Sequence, residues 1–111
     1  MSAFQLKFDQ AIWEVVSQIP AGRVMSYGEV SKAAGFPRHA RMVSRAMSRS
    51  TDKLPWFRVV RSNRTLAFDI DSKAYKKQLD LLKKEGVKLI KGKVIPVQTD
   101  IGKNLDELLW S

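Results

Sequence analysis

The sequence predicts a mostly helical α/β domain of the winged helix-turn-helix type, with a small β-hairpin as the wing. Three observations predict this fold. Two short helical segments meet at a glycine-containing turn near Gly35, a run of strand-forming residues follows them, and the composition is that of a globular domain. The 111 residues are 44% hydrophobic and 28% charged, so we expect residues 1–111 to form one domain around a single core.

The first helix is predicted from apolar residues at helical spacing, which are Phe4, Phe8, Ile12, Val15, Val16 and Ile19. Pro20 and Gly22 end it. After a brief extended step at Val24-Met25, Ser26-Tyr27-Gly28-Glu29 has the spacing of a capping box, in which serine and glutamate satisfy each other's free backbone amides. A short second helix follows and ends near Gly35.

The segment from Arg38 to Arg49, opened by Pro37, is predicted to form the third helix. At about 100° per residue, one face carries four arginines and the opposite face carries Ala40, Val43 and Met47. The arginines are Arg38, Arg41, Arg45 and Arg49. Because no acidic residue interrupts this stripe, it favours a recognition helix, although an ordinary solvated face is the alternative.

The β-structure is predicted after the third helix. Leu54–Val60 reads as a strand, Ser62–Thr65 as a turn and Leu66–Phe68 as a returning strand, which together would form the wing. Val87–Val97 reads as a ragged strand or hairpin, broken by Gly92 and Pro96.

A fourth helix is predicted between the two β-regions. Asp71 or Ser72 would cap it, Gly86 would end it, and its core side would carry Tyr75, Leu79 and Leu82. A final helical turn is expected at Leu105–Trp110.

Charge and composition restrict the function. Lys plus Arg number 20 against 11 Asp plus Glu, so the net charge is +9. This excess suggests a polyanionic partner such as nucleic acid, and a merely solubilising basic surface is the open alternative. The absence of cysteine excludes disulfides, thiolate nucleophiles and thiolate metal sites, and the single His39 cannot build a histidine cage. We therefore expect no metal and no other cofactor. Without a membrane-spanning run or a signal-peptide pattern, the protein is expected to be soluble and intracellular.

Four segments are informative through their order and spacing. They read Ile19-Pro20-Ala21-Gly22-Arg23-Val24-Met25-Ser26-Tyr27-Gly28-Glu29, then Ala40-Arg41-Met42-Val43-Ser44-Arg45-Ala46-Met47, then Pro55-Trp56-Phe57-Arg58-Val59-Val60, then Leu81-Leu82-Lys83-Lys84-Glu85-Gly86. Over about residues 8–90 they resemble the DNA-binding half of the O6-alkylguanine-DNA alkyltransferases. The extra N-terminal domain of many full transferases is expected to be missing.

The third segment departs from the transferases at their reactive centre. The family motif reads Pro-Cys-His-Arg, and its cysteine accepts the alkyl group. Here Trp56 stands at the cysteine position and Phe57 at the histidine position. An indole has no lone pair free to attack carbon, and a phenyl ring cannot act as a general base, so the chain is not expected to be an enzyme. Glu85, which matches the acid that orients the missing histidine, is expected to be structural.

Tryptophan at this position resembles the alkyltransferase-like proteins, the non-catalytic relatives of the transferases. That resemblance implies a DNA damage sensor that binds the minor groove through a helix-turn-helix and flips an O6-alkylguanine out of duplex DNA. It would then flag the lesion for nucleotide excision repair. Double-stranded DNA carrying O6-alkylguanine and nucleotide excision repair proteins are the implied partners. A monomer is expected, in the nucleoid-associated cytoplasm if bacterial and in the nucleus if eukaryotic.

The resemblance also implies roles for single residues. Tyr27 would help rotate the phosphate of the flipped nucleotide, and Arg41 would enter the base stack as a finger. Trp56 would form the floor or wall of the lesion pocket, with Met47 and Val59 as neighbours. The other expected DNA contacts are Ser26, Arg38, His39, Ala40, Ser44, Arg45 and Arg49, with Ala40 and Ser44 facing the minor groove and His39 exposed near DNA.

Several residues depart from the patterns common among the relatives, namely Ser44, Phe57, Arg64 and the loop Leu66–Asp69. Two alternatives stay open. One is a winged-helix transcription or architectural factor without lesion selectivity. The other is a residual transferase or glycosylase that uses a different residue, which the solitary His39 and the absence of a paired-carboxylate motif disfavour.

Overall fold

The computed structural model describes residues 2–95, which form four α-helices, four two-residue strands and two 3₁₀ turns. The helices are α1 (Ala3–Ser17), α2 (Tyr27–Ala33), α3 (Val43–Ser48) and α4 (Lys73–Lys84). The strands are β1 (Met25–Ser26), β2 (Val59–Val60), β3 (Leu89–Ile90) and β4 (Lys93–Val94). The 3₁₀ turns are Ala40–Met42 and Trp56–Arg58. Within residues 2–95, no helix has the length and apolar character needed to cross a membrane.

The helix starts follow from local side-chain chemistry. The predicted capping box is confirmed, because the Ser26 hydroxyl accepts from the Glu29 backbone N–H at 3.1 Å and Glu29 Oε1 accepts from the Ser26 N–H at 2.8 Å. Ser72, and not Asp71, caps α4 by accepting from the Tyr75 N–H at 3.1 Å. The predicted end of α4 is confirmed by Gly86, which adopts φ +84° after the last helical turn.

The core has two parts, which meet at β2. The first lies between α1, α2 and α3 and consists of Phe8, Ile12, Val16, Ile19, Val30, Val43, Ala46 and Val59. The second lies beneath α4 and consists of Val60, Leu66, Leu82, Val87 and Val94. Because successive strand residues point to opposite faces, Val59 enters the first part and Val60 the second. The 3₁₀ turn with Trp56 therefore lies directly before the strand that joins the two parts.

The predicted helix Arg38–Arg49 is wrong over its first turns. Arg38 has φ +73°, outside any right-handed helix, and the α-helical part is limited to the six residues of α3. Tertiary packing explains this difference. The rings of Phe36 and His39 both pack against Phe8, with centroids 5.2 and 5.9 Å away, and the chain must turn at Arg38 to bring both rings there.

The predicted wing Leu54–Phe68 is also wrong. Pro55 is followed by a 3₁₀ turn, in which the Arg58 N–H donates to the Pro55 carbonyl at 3.0 Å, so only Val59 and Val60 are extended. β2 pairs in parallel with β1, with Met25 opposite Val59, and Leu66–Phe68 forms no strand.

The antiparallel hairpin is formed by β3 and β4, which lie within the predicted region Val87–Val97. Lys91 and Gly92 form its turn with φ +52° and +76°, as a type I′ turn requires. Pro96, Val97 and the predicted turn at Leu105–Trp110 lie outside the described residues.

Candidate nucleic-acid interface

The exposed surface of α3 is the first part of the candidate site. Val43 and Ala46 bury the opposite side of this helix against α1 and α2. The Trp13 indole N–H of α1 donates to the Ala46 carbonyl at 2.6 Å and holds the helix in place. Ser44 and Arg45 point to solvent on α3, and Arg41 does so on the 3₁₀ turn that precedes it. The exposed side of α3 thus carries polar side chains, while its buried side is held by the core and by Trp13.

Arg49 occupies a different environment from the other predicted DNA contacts. Its Nε donates to Oδ2 of Asp9 at 2.6 Å and its Nη2 donates to Oδ1 at 2.8 Å. Asp9 lies fully buried on α1, and its hydrogen bonds raise the pKa of Arg49. Arg49 therefore joins α3 to α1, and its guanidinium is paired with Asp9 rather than free for the predicted phosphate contact.

The other arginines divide into paired and unpaired groups within residues 2–95. Like Arg49, Arg58 and Arg64 each bind a carboxylate, that of Glu85 and that of Glu29 respectively. Three exposed arginines near α3 make no ion pair with the described residues, namely Arg38, Arg41 and Arg45. Three uncompensated positive charges thus lie near α3, although Arg38 lies before the helix and does not continue a helical stripe.

Two of the predicted DNA contacts, Ser26 and His39, interact with other parts of the fold. Ser26 is buried, and its hydroxyl is used in the capping box. His39 is half-buried rather than exposed, with its ring 5.6 to 5.9 Å from those of Phe4, Phe8 and Phe36. Packing of these rings explains the position of His39. Ala40 is half-buried at the start of the 3₁₀ turn.

Trp56 lies in a pocket beside α3. Its half-buried ring meets the rings of Phe57 and Phe68 edge-on, with centroid distances of 5.9 and 5.8 Å. The pocket has a volume of about 610 Å³ and is also lined by Met47 of α3, Leu54, Pro55, Lys77 and Leu81. This volume lies in the range of small-molecule sites, roughly 300–1,000 Å³. Trp56 and Met47 thus line the same pocket.

Val59 does not line this pocket. Its side chain is 1% exposed and belongs to the first part of the core. The 3₁₀ turn ends at Arg58, and the strand that follows directs Val59 towards α1 and α3. Its predicted place as a pocket neighbour of Trp56 is thus wrong.

Gln78 fixes the segment that carries Trp56, and the sequence analysis missed it. This α4 side chain is fully buried, and its amide nitrogen donates to the carbonyls of Phe57 at 3.1 Å and Val59 at 3.0 Å. Its Oε1 accepts from the Ala67 N–H at 3.0 Å. The available signal was a glutamine at a core position of α4, three residues after Tyr75 and four before Leu82.

The ion pair of Arg58 and Glu85 fixes the same segment at a second place. Arg58 Nε donates to both carboxylate oxygens of Glu85 at 3.0 and 3.2 Å, and a further close contact runs from its Nη2 to Oε2. The same carboxylate accepts from the Gly22 N–H at 3.0 Å, while Arg58 also donates to the Ile19 carbonyl. The hydrogen bonds from Arg58, together with that from Gly22, hold the pKa of Glu85 below its ordinary value. The predicted structural role of Glu85 is confirmed.

Tyr27 lies at the start of α2 and is half-buried against the first part of the core. Burial raises the pKa of its phenol, and the neighbouring positive charge of Arg61 opposes that shift. Arg61 also donates to the Ala67 carbonyl at 3.3 Å, directly before Phe68. Arg61, another residue that the sequence analysis missed, thus connects Tyr27 with the loop whose Phe68 contacts Trp56.

Comparison with known proteins identifies the family. The family model described as 6-O-methylguanine DNA methyltransferase, DNA binding domain, matches residues 7–87. The chain belongs to this family. It is 33% identical over 109 residues to Alkyltransferase-like protein 1 of Schizosaccharomyces pombe, covering 94% of each chain. It is 39% identical over 83 residues to a DNA base-flipping protein of Vibrio parahaemolyticus, covering 70% of this chain and 78% of that one.

Solved structures of this family have the same fold. Schizosaccharomyces pombe Atl1 in complex with damaged DNA containing O6-carboxymethylguanine has a TM-score of 0.71 at 29% identity, covering 100% of this chain and 99% of that one. Mycobacterium tuberculosis OGT in complex with DNA has a TM-score of 0.62 at 27% identity, covering 78% of this chain and 50% of that one. The predicted fold class and the resemblance to the alkyltransferase-like proteins are confirmed.

Comparison with the motif of the methyltransferase family shows which reactive groups this chain has. Trp56 belongs to the segment Pro55-Trp56-Phe57-Arg58, which resembles the Pro-Cys-His-Arg motif of the transferases, and the sequence contains no cysteine. Phe57, at the histidine position, packs its ring 5.2 Å from the Arg58 guanidinium. Among residues 2–95, no group of three His, Cys, Asp or Glu side chains is arranged to hold a metal ion. The described pocket thus combines aromatic and aliphatic walls with polar side chains, namely Ser17, Asp52, Lys53, Arg58 and Lys77.

Proposed function

We propose that this protein binds O6-alkylguanine in duplex DNA, turns the nucleotide into the pocket beside Trp56, and leaves it chemically unchanged. The observation that carries this proposal is the half-buried indole at the acceptor position, which shares a pocket with Met47 of α3. A half-exposed aromatic ring provides a stacking surface for a base. The complex of the relative Atl1 with DNA containing O6-carboxymethylguanine supports the choice of ligand.

DNA is held first by charge. Arg38, Arg41 and Arg45 attract phosphates, while α3 enters the minor groove with Ser44 towards the bases and Ala40 at its edge. Arg41 lies on the 3₁₀ turn that leads into α3 and is exposed. It enters the base stack and fills the place that the flipped nucleotide leaves. Ionic contacts of this kind weaken steeply with salt, because binding releases the counterions of the phosphates.

Tyr27 and Arg61 act on the nucleotide that rotates. Tyr27 crowds its phosphate, and Arg61 provides a cation beside the phenol. An ordinary tyrosine is already neutral at physiological pH, and burial shifts the pKa of Tyr27 further upwards, so the phenol adds no negative charge next to a phosphate.

The pocket offsets the cost of flipping. Extruding a base costs a few kcal/mol of lost stacking and pairing, and less for a lesion whose pairing is already impaired. Stacking on an aromatic side chain returns about 1–3 kcal/mol per base. Trp56 lines the pocket and provides such a ring, and burial of the alkyl group adds about 25 cal/mol per Å². Preference for the lesion therefore follows from the lower cost of flipping it and from burial of its alkyl group.

No alkyl transfer takes place, because the indole of Trp56 has no free lone pair to attack carbon and Phe57 cannot accept a proton. Incubation with DNA carrying a labelled O6-methyl group tests this. The label is expected to remain in the DNA with the base attached. Label on the protein, or a released base, would establish a residual enzyme instead.

We also propose that the bound lesion is passed to nucleotide excision repair. The protein acts as a monomer, as one domain, in the nucleoid-associated cytoplasm of a bacterium or the nucleus of a eukaryote. A repair assay tests the first point. Excision of O6-methylguanine by a reconstituted excision system should rise when the protein is added, and unchanged excision would contradict the proposal.

The primary test is the dissociation constant for two duplexes that differ only by one O6-methyl group. Measured across a salt series, the lesion duplex is expected to bind more tightly at every ionic strength, and Trp56→Ala is expected to remove most of the difference. Equal affinity for both duplexes would contradict lesion sensing. It would favour a winged-helix transcription or architectural factor, which would instead prefer one undamaged sequence.

A further inference from the structure

Phe68 has an unusual combination of exposure and fixation. The residue is 36% exposed, although its ring meets the Trp56 ring edge-on at 5.8 Å. The backbone before it is fixed on two sides, because the Ala67 N–H donates to Gln78 and the Ala67 carbonyl accepts from Arg61. Leu66 anchors the same segment in the core. A large aromatic side chain is thus held at the surface beside the indole by several independent contacts.

Phe68 does not line the described pocket but contacts Trp56, which does. We propose that Phe68 is a specificity-determining residue beside the lesion pocket and that it favours apolar O6 substituents, a role that rests on the function proposed above. Together with Trp56 it presents two aromatic rings at about right angles, with an interplanar angle of 81°. The free energy gained when a substituent packs against such rings grows with the apolar area that it buries. Larger apolar adducts therefore depend more on Phe68 than a methyl group does.

The charges of the same loop support an apolar preference. Phe68 is followed by exposed Asp69 and Asp71, and residues 66–71 contain no basic side chain. An anionic adduct therefore obtains no charge-assisted hydrogen bond from this loop. The pocket's lysines, Lys53 and Lys77, belong to the segment before Trp56 and to α4, so a change at Phe68 leaves them in place.

The test compares four duplexes, which carry guanine, O6-methylguanine, O6-benzylguanine or O6-carboxymethylguanine at one position. For Phe68→Ala, binding of the benzyl duplex is expected to weaken about tenfold, as for the loss of one aromatic stacking partner. The methyl duplex should weaken less, and the unmodified duplex should be unaffected. Ile70→Ala is the matched control, since Ile70 is a more exposed apolar side chain of the same loop at 73%. It should leave all four affinities unchanged.

Phe68→Lys provides an independent test that does not depend on loss of packing. A cation at this place is expected to raise the affinity for O6-carboxymethylguanine relative to O6-methylguanine. An unchanged ratio, or equal weakening of all lesion duplexes by Phe68→Ala, would overturn the specificity role while leaving lesion sensing intact. If the unsubstituted protein binds no lesion duplex more tightly than plain DNA, the proposed function fails and the role of Phe68 fails with it. Thermal unfolding of each variant verifies that the fold is kept.

Discussion

Gln78 connects α4 with the segment that carries Trp56, and the loss of stability on replacing it tests this connection. Its buried amide makes three hydrogen bonds, to the carbonyls of Phe57 and Val59 and to the N–H of Ala67. These bonds hold the 3₁₀ turn of Trp56 and the loop before Phe68 against α4. Replacing Gln78 by leucine keeps most of the side-chain volume but leaves three backbone polar groups without this partner.

The expected cost follows from those three groups. Each unsatisfied buried polar group costs about 1–3 kcal/mol, and partial access of water reduces the sum, so Gln78→Leu should lower the free energy of unfolding by about 3–5 kcal/mol. Because small domains have a total of about 5–15 kcal/mol, the variant should still fold but unfold at a markedly lower denaturant concentration.

Urea unfolding at neutral pH measures this directly, with Gln10→Leu as the control, since Gln10 is exposed on α1. The control is expected to stay within about 0.5 kcal/mol of the unsubstituted protein. A loss below about 1 kcal/mol for Gln78→Leu would refute the reasoning, because three satisfied buried bonds could not then be holding the segment.

Gln78→Glu adds a pH signature to the same test. A carboxylate can accept from Ala67, but it offers no proton to the carbonyls of Phe57 and Val59, so burial should raise the folded pKa of the introduced glutamate above its unfolded value. Stability of this variant relative to Gln78 should therefore be best below the unfolded pKa of about 4.3 and fall as the pH rises through the folded value. A pH-independent difference would contradict the proposed hydrogen-bond pattern.

Three further predictions concern charged residues. Arg41→Ala should abolish the preference for the lesion duplex while leaving part of the salt-dependent background, and surviving selectivity in a competition assay would rule out the finger role. Arg45→Ala should weaken lesion and plain duplexes equally and lower the slope of log affinity against log salt by about one; a selective loss on one duplex would contradict a simple phosphate contact. Arg58 holds the pKa of Glu85 below its ordinary 4.5, so this pair stabilises the fold fully above about pH 4.5 and progressively less as the pH falls through the folded pKa. Urea unfolding should accordingly show Glu85→Gln less stable than the unsubstituted protein at pH 7, with the gap narrowing in acid, whereas a constant gap would show that ionisation of Glu85 is irrelevant.

Local chemistry made part of the fold predictable. The capping box at Ser26 and Glu29 needs only residues of one helical turn, and the serine cap of α4 follows the same rule. The fourth helix was predictable from helical spacing. The hairpin region was indicated by Gly92, which adopts a positive φ in the turn. Trp56 and Met47 were placed together through the family motif, and the structure brings both into one pocket.

Contacts between distant residues explain what the sequence did not reveal. Helical spacing placed Arg49 among the DNA contacts, but its side chain turns to Asp9, forty residues away in the chain. The turn at Arg38 depends on packing of Phe36 and His39 against α1. β2 pairs with β1 and not with its neighbour in sequence, which no local pattern indicates. Arg61, Gln78 and Phe68 acquire their places only when the loop after β2 folds back to Trp56.

Fluorine NMR of protein labelled with 5-fluorotryptophan tests the placement of the lesion against Trp56 most directly. The sequence contains three tryptophans, and Trp56→Phe identifies the relevant resonance. Trp13, whose indole N–H donates a hydrogen bond to the Ala46 carbonyl, serves as the internal reference. We predict that the Trp56 resonance shifts when an O6-methylguanine duplex is added and stays unchanged with the unmodified duplex. An identical Trp56 response to both duplexes would contradict insertion of the lesion beside this indole.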